Sequence, residues 1–283
     1  MIQIDHLSFG YSKKRLLYKD ISLTMEKGRI YGLLGKNGAG KSTFLKNLGG
    51  LVFPSSGRIS VFGEEPRKRR PAFLQDIYLI TEEVYVPSIS STQYARLYSP
   101  FYPRFNNQQF REYLEKLEVE PTGSLKSLSF GQQKKFIIAF ALACNTSLLL
   151  LDEPTNGLDI PSKAQFRRLI ASVLTEERTI IISTHQTRDL ENLIDNVLIL
   201  DNGKILLHES IDQIIHKMSF KILKTLPDDR EVFYSEKTLG GYAVVSVNNS
   251  QDEDQMNLEQ LFNAVIEKPL AIKQLFPSKS SAL

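Results

Sequence analysis

Apolar and polar residues follow two different rhythms along this chain. Ile2, Ile4 and His6 alternate with Gln3 and Asp5, and Ile21, Leu23 and Met25 alternate with Ser22 and Thr24. A period of two is that of a strand with one buried face. Residues 59–62, bounded by Gly57 and Gly63, repeat it, so the three segments predict a small antiparallel sheet. Residues 77–80, 148–151, 179–183 and 197–200 are instead short continuous apolar runs, mostly separated by helical patterns. Such runs are expected of a parallel sheet covered on both faces. Phe166, Leu169, Ile170 and Val173 repeat at helical spacing behind Pro161, which suits a first helical turn. Asn202-Gly203, between two apolar runs, predicts a two-residue hairpin.

Between Glu83 and Leu128 the strand rhythm stops and aromatics accumulate: Tyr85, Tyr94, Tyr98, Phe101, Tyr102, Phe105, Phe110 and Tyr113. Phe110, Tyr113, Leu114 and Leu117 fall on one helical face, which predicts a helical insertion with a packed aromatic core. Beyond Leu207 the texture changes again. Strands are expected over 220–223, 231–234 and 242–247, a helix over 257–267, and a frayed end over 278–283.

The stretch from Gly35 to Thr43, GKNGAGKST, fits the phosphate-binding pattern G-x-x-x-x-G-K-[ST]. Polyphosphate needs several backbone N–H groups aimed into one hollow, and glycine lets the backbone approach. Lys41 supplies a cation for the terminal phosphates and Ser42 a hydroxyl for Mg²⁺. Residues 29–34 read as a buried strand entering the loop and 42–48 as a helix leaving it, its positive end toward the phosphates. Gly49-Gly50 stops that helix.

Four leucines, 148–151, run into Asp152-Glu153-Pro154. In a phosphate-loop protein the carboxylate at that strand end holds Mg²⁺, the role given to Asp152. Glu153 then suits the orientation and polarisation of an attacking water, which favours hydrolysis. Ser129-Phe-Gly-Gln-Gln133 stands about twenty residues ahead of Asp152. Ser129 suits a helix N-terminus, and Gly131 lets backbone approach an anion.

The bulk numbers constrain less. A chain of 283 residues with 42% hydrophobic and 24% charged residues has the composition of a globular protein with one large domain and a smaller appendage. A net charge of +3 is too mild to imply nucleic acid binding. The single cysteine, Cys144, lies in an apolar run and reads as a buried thiol in a reducing compartment. No signal-like apolar block follows Met1, and the most apolar region, 136–151, is interrupted by Asn145, Thr146 and Ser147. Any membrane part is therefore expected in another chain. Arg67-Lys-Arg-Arg70 reads as a solvated loop, with anionic lipid or an acidic partner as the alternative.

In order, the chain carries the phosphate loop, Leu128-Ser-Phe-Gly-Gln132, Leu-Leu-Asp-Glu-Pro154, Gly157-Leu-Asp159 and Ser183-Thr-His185. Over roughly residues 1–207 it resembles the ATP-binding subunit of an ABC transporter. The resemblance implies an α/β fold: a phosphate-loop NTPase (ABC ATPase) core with an antiparallel β subdomain and a helical subdomain over about 85–145. The 208–283 segment would be a small C-terminal α+β accessory domain.

Two such subunits would pair head to tail, as a homodimer or with a paralogous ATPase subunit, and sandwich two ATP molecules with Mg²⁺. Gly35, Asn37, Gly38, Ala39, Gly40, Lys41, Ser42 and Thr43 would hold one nucleotide, with Tyr11 stacked on adenine. Glu153 and His185 would serve catalysis. Ser129, Gly131 and Gln132 of the partner copy would complete the site, and Asp159 would lie at the seam. His6, His208 and His216 have no such setting and read as structural.

Two positions depart from the family pattern. Phe130 replaces a glycine of the signature, where its backbone N–H can still serve if the residue keeps φ negative. Thr81-Glu82-Glu83 stands where the family has glutamine, which makes Glu82 the third metal candidate beside Ser42 and Asp152, with Thr81 an alternative. These departures, Lys134-Lys135 after the signature and the 258–262 segment resemble ABC-2-type exporters. Such subunits work with a separate transmembrane permease, on the cytoplasmic face of the cell membrane, without nucleic acid. A soluble ABC ATPase acting outside transport is the alternative, but those relatives carry long coiled coils or two ATPase domains. A non-hydrolysing regulator would need damaged motifs.

Overall fold

The computed structural model describes residues 1–12, 15–120, 123–226, 232–249 and 255–277. The expected fraying of 278–283 lies outside the described residues, as does Glu231 of one expected strand. The chain opens with β1 (Ile2–Phe9), β2 (Tyr18–Met25), β3 (Ile30–Leu34), α1 (Lys41–Leu48) and β4 (Ser56–Val61). Then come α2 (Pro71–Leu74), β5 (Ile77–Ile80), α3 (Ser91–Tyr98), α4 (Asn107–Lys116) and α5 (Phe130–Ala143). β6 (Leu148–Asp152), α6 (Ile160–Val173), β7 (Thr179–Thr184), β8 (Asn196–Asp201) and β9 (Lys204–Ser210) follow. The last part holds α7 (Ile211–Lys217), β10 (Met218–Leu223), β11 (Val232–Thr238), β12 (Gly241–Val247), α8 (Leu258–Glu267) and α9 (Pro269–Leu275).

The central sheet has six strands in the order β5-β6-β7-β3-β8-β9. All neighbours run parallel except the β8–β9 hairpin. Its turn is Asn202-Gly203, both with positive φ (46° and 74°), the backbone that a tight hairpin of this twist requires. Alternation along β6 sends Leu148 and Leu150 to one face and Leu149 and Leu151 to the other. The first face joins α1 and the antiparallel sheet β2-β1-β4 through Ile2, Ile4, Phe44, Leu48 and Ile59. The second face joins the helical insertion through Phe110, Phe136 and Phe140, and α6 through Phe166. In the insertion Tyr94 meets Phe136 and Phe140 edge to face, at 5.2 and 5.0 Å between ring centres.

The tail is a three-stranded sheet, β10-β12-β11, with α8 against it. Its Val245, Leu258, Leu261 and Val265 enter the same core as Val197, Ile199 and Leu207 of the central sheet. α7 and α9 have no counterpart among the sequence expectations. Each is seven residues long, too short for a convincing period, although Ser210 caps α7 by accepting from the Gln213 N–H and Pro269 sits in the first turn of α9. Among the described residues no helix is long and apolar enough to cross a membrane.

Register places the site. Leu34 at the end of β3 pairs with Thr184 at the end of β7, and Asp152 at the end of β6 pairs with Ser183. Gly35, Glu153 and His185 therefore leave three adjacent parallel strands at the same edge, where open α/β sheets present their ligands.

Candidate nucleotide site

The phosphate loop curls between β3 and α1. Gly38 and Gly40 have φ of 80° and 107°, a backbone region closed to most side chains. A Cβ at Gly38 would meet nothing within 4 Å, so the hollow side of the loop is open; one at Gly40 would strike the Tyr18 ring at 2.8 Å. The Tyr18 hydroxyl donates to the Gly40 carbonyl, fixing the loop from below. Burial pushes that phenol's pKa well up, so it remains a donor. Tyr18 was not expected to serve the site, because in sequence it looks like any buried strand residue.

Lys41 is buried, and its Nζ donates to the Gly35 carbonyl at 2.9 Å and the Lys36 carbonyl at 3.5 Å. α1 begins without a side-chain cap and without an acid in its first turn. Its N–H groups and positive dipole end are left unneutralised, which fits a polyphosphate anion. Thr43 is buried, and its hydroxyl meets the Tyr11 hydroxyl at 3.0 Å. Tyr11 is 69% exposed and edge-on to Phe9, beside the loop, with a ring face accessible to a π-system.

Asp152 is buried, and one carboxylate oxygen accepts from Ser183 Oγ at 2.5 Å. Next to it Glu153 has φ 46°, and its N–H donates to the Ser183 carbonyl at 3.0 Å. This bend turns the Glu153 carboxylate back over the ends of β3 and β7. Its Oε1 accepts from the His185 N–H at 3.0 Å, lies 2.8 Å from His185 Nδ1 and 3.6 Å from Lys41 Nζ. Oε2 accepts from Thr184 Oγ1 at 3.0 Å. Lys41, Glu153 and His185, distant in sequence, thus share one network, with Lys41 and Glu153 buried and His185 at its exposed end.

A second unpredicted residue holds this turn. Lys134 is 0% exposed, and its Nζ donates to the carbonyls of Glu153 (2.7 Å) and Asn156 (3.1 Å). Burial lowers its pKa, opposed by the carboxylates of Glu82, Glu153 and Asp152. Lysines inside apolar helices usually reach the surface; here the nearby carbonyls replace water. Asp189 completes the support. Its Oδ2 accepts from Thr155 Oγ1 at 2.6 Å and Lys163 Nζ at 2.8 Å, tying the residues after His185 to the Glu153 turn.

Ser129 caps α5, its hydroxyl accepting from the Gln132 N–H at 3.3 Å. Phe130 is the first residue of α5 and is absent from the positive-φ residues, so its backbone keeps ordinary helical geometry. Its ring covers Gly157, where a Cβ would come within 2.8 Å, and lies 5.6 Å from Lys134 Nζ. Gln132 Nε2 donates to the Glu118 carbonyl at 3.4 Å, while its Oε1 is buried without a hydrogen-bond partner. The side chains of Ser129 and Gln132 thus bond within the helical insertion. Asp159 caps α6 by accepting from the Ser162 N–H at 2.9 Å, and hydrogen bonding from the Ser162 side chain and then its backbone holds its pKa down.

Glu82 lies apart from Ser42 and Asp152 in its contacts: Oε1 accepts from Asn156 Nδ2 at 3.0 Å. Thr81 Oγ1 donates to the Glu83 carbonyl at 2.7 Å. Among the described residues no group of three or more His, Cys, Asp or Glu forms a ready metal site. The Ser42 hydroxyl and Asp152 carboxylate are hard oxygen donors, the set that suits Mg²⁺ when phosphate oxygens supply other ligands. The basic run is largely spent within the chain. Lys68 pairs with Glu65 at 2.9 Å, Arg70 with Glu64 at 3.6 Å, and Arg69 donates to the Gly50 carbonyl.

Residues 18–156 match the family described as ABC transporter. The chain is 28% identical over 287 residues to the ABC transporter ATP-binding protein YtrB of Bacillus subtilis, covering 99% of this chain and 98% of YtrB. The lantibiotic transport ATP-binding protein SrtF of Streptococcus pyogenes is 34% identical over 221 residues, 75% of this chain and 92% of SrtF. A solved ATP-binding subunit of an ABC transporter superposes with a TM-score of 0.68 at 25% identity, over 76% of this chain and 91% of that one. CbiO1 from Clostridium perfringens, part of the ABC transporter complex cbiONQ, gives 0.63 at 26% identity, over 75% and 89%.

Proposed function

This chain belongs to the ABC transporter ATP-binding protein family, and on that premise we propose how its residues bind and hydrolyse ATP to drive a separate membrane permease. The observation that carries the assignment of residues is the convergence of Lys41, Asp152, Glu153 and His185 on three adjacent strand ends. Gly35, Asn37, Gly38, Ala39, Gly40 and Thr43 cradle the phosphates with backbone N–H groups, and Lys41 neutralises the terminal ones. Tyr11 stacks on adenine. Ser42 and Asp152 hold Mg²⁺, which supplies charge neutralisation on the phosphate oxygens; Glu82 is the further candidate ligand.

Glu153 takes the proton of the attacking water as the new bond to γ-phosphorus forms and the bond to ADP breaks. Its carboxylate is held by Thr184, His185 and Lys41. An entering phosphate competes for the same Lys41 and His185 donors, which frees the carboxylate for water. Ser129, Gly131 and Gln132, at the start of α5, complete the nucleotide site of a second copy, with Asp159 at the seam. That arrangement explains why the own-chain hydrogen bonds of Ser129 and Gln132 stay within the insertion.

We assign 1–207 to the ATPase domain and 208–283 to an accessory α+β unit. The helical insertion carries exposed Tyr85, Leu97 and Phe101 and serves as the permease-facing surface. Export is the direction supported by the ABC-2-type features of the sequence, and the working place is the cytoplasmic membrane face. Two measurements test this reading. ATP turnover should rise more than linearly with protein concentration, and a permease should co-purify from membranes. Turnover strictly linear in concentration would remove the paired-subunit arrangement, and a chain recovered without any membrane partner would favour a role outside transport.

A further inference from the structure

Phe262 of the C-terminal helix α8 reaches the edge of the phosphate loop. A cavity of about 270 Å³ opens there, lined by Gly35, Lys36 and Asn37 of the loop, by His185 and Thr187, and by Phe262. Phe262 comes from the tail, while these other walls come from the ATPase core. α8 is set in place by Leu258, Leu261, Ala264 and Val265, all buried, and by the Asn257 side chain, which accepts from the Gln260 N–H at 2.9 Å. Glu259 and Phe262 are three residues apart and share one side of the helix. Glu259 Oε2 lies 3.6 Å from Arg188 Nη2, in the turn Thr187–Asp189 that follows His185, and α8 packs on that turn.

We propose that Phe262 is a positioning residue of the nucleotide site, through which the C-terminal unit sets the placement of the His185 turn and so the affinity for ATP. The same turn carries Asp189, whose carboxylate binds Thr155 and Lys163. A shift of α8 therefore passes to the residues after Glu153 as well as to His185. The ring also excludes water from one side of the pocket, which strengthens the charge interactions inside it. An apolar ring at the rim of a phosphate site gains little as a ligand for phosphate itself. Its effect is on the turn beside it.

This inference rests on the ATP-binding reading above, and the experiment separates the two. The full chain and its Lys41→Ala, Phe262→Ala, Phe262→Trp and Ile272→Ala variants are titrated calorimetrically with ATP and Mg²⁺, and each is melted without nucleotide. Ile272 is buried in the tail at α9 and is absent from the pocket walls, so it reports tail packing away from the pocket. Phe262→Ala should weaken ATP binding about tenfold, with Phe262→Trp near wild type. Ile272→Ala should lower the melting midpoint and leave affinity intact. Unchanged affinity in Phe262→Ala overturns the proposal, as does an equal loss in Ile272→Ala, which would trace the effect to the tail's folding. Binding no tighter in wild type than in Lys41→Ala would instead overturn the ATP-binding reading, and this inference with it.

Discussion

Lys41 Nζ and Glu153 Oε1 lie 3.6 Å apart, and both side chains are almost fully buried. The cation assigned to phosphate and the carboxylate assigned to water are thus held on each other. A charge removed from water needs a partner of opposite sign, and each supplies the other's until an anion enters the loop.

Glu153→Gln should keep the shape of the network and remove the base. Turnover should fall by about a hundredfold or more, while calorimetry shows ATP binding retained and size-exclusion chromatography with ATP shows a trapped dimer. Continued hydrolysis at the wild-type rate would take the base role away from Glu153.

Lys41→Ala should lose ATP affinity by about a hundredfold or more, the scale on which removal of one partner of a desolvated charge contact acts. Calorimetric titration reads this directly. An unchanged dissociation constant would refute the phosphate-loop assignment.

Tyr18→Phe removes the hydroxyl that donates to the Gly40 carbonyl without leaving a void. A loss of about 1 kcal/mol in urea unfolding is expected, together with weaker ATP binding, because the loop is freed at the residue before α1. A variant as stable and as avid as wild type would show that α1 and β3 suffice to shape the loop.

Burial raises the Tyr94 pKa from 10.0 to about 12, and Tyr31 shifts likewise. A phenol with a raised folded pKa contributes stability that is complete below pH 10 and is lost as pH rises toward 12, because the unfolded chain releases its proton first. Unfolding free energy should therefore decline over that window. Lys134, with a lowered folded pKa, acts in the opposite sense below 10.5. Each such tyrosine steepens the decline by about 1.4 kcal/mol per pH unit, so Tyr94→Phe should flatten it by that amount. Urea melts at stepped pH provide the measurement.

Phe101→Glu and Tyr85→Glu change side chains that are 67% and 84% exposed. Stability and ATP binding of the isolated subunit should stay as they are, since surface changes away from special features cost little. Stimulation of ATPase activity by the reconstituted permease should be lost. Full stimulation in both variants would move the docking surface elsewhere.

Two of the sheets were readable because their patterns differ: a continuous run of four leucines before Asp152 marks one, and the alternation of Ile2 and Ile4 marks the other. The phosphate loop was readable for another reason, its chemistry being carried by residues adjacent in sequence. What escaped are contacts made by one side chain to distant backbone. Nothing near Lys134 in the chain announces that the carbonyls of Glu153 and Asn156 lie over it, because the bend at Glu153, with φ 46°, exists only in three dimensions. Tyr18 escaped likewise, since its hydroxyl acts on the distant Gly40 carbonyl, and the expected 257–267 helix gave Phe262 no place at the site. The Arg67–Arg70 run reads as a solvated loop and is exposed in the structure, but its local pairing with Glu64 and Glu65 depends on the turn.

Lys134 and Ser129 stand at the start of a single helix, α5. One grips the backbone at Glu153 and Asn156; the other, in the paired arrangement proposed above, would face a neighbour's nucleotide. In that arrangement the helix would work like a shared axle: a rotation imposed at one nucleotide would be delivered to Glu153, the base proposed for the other. Alternation between two paired sites would then need no long relay, only a rigid rod about a turn and a half long.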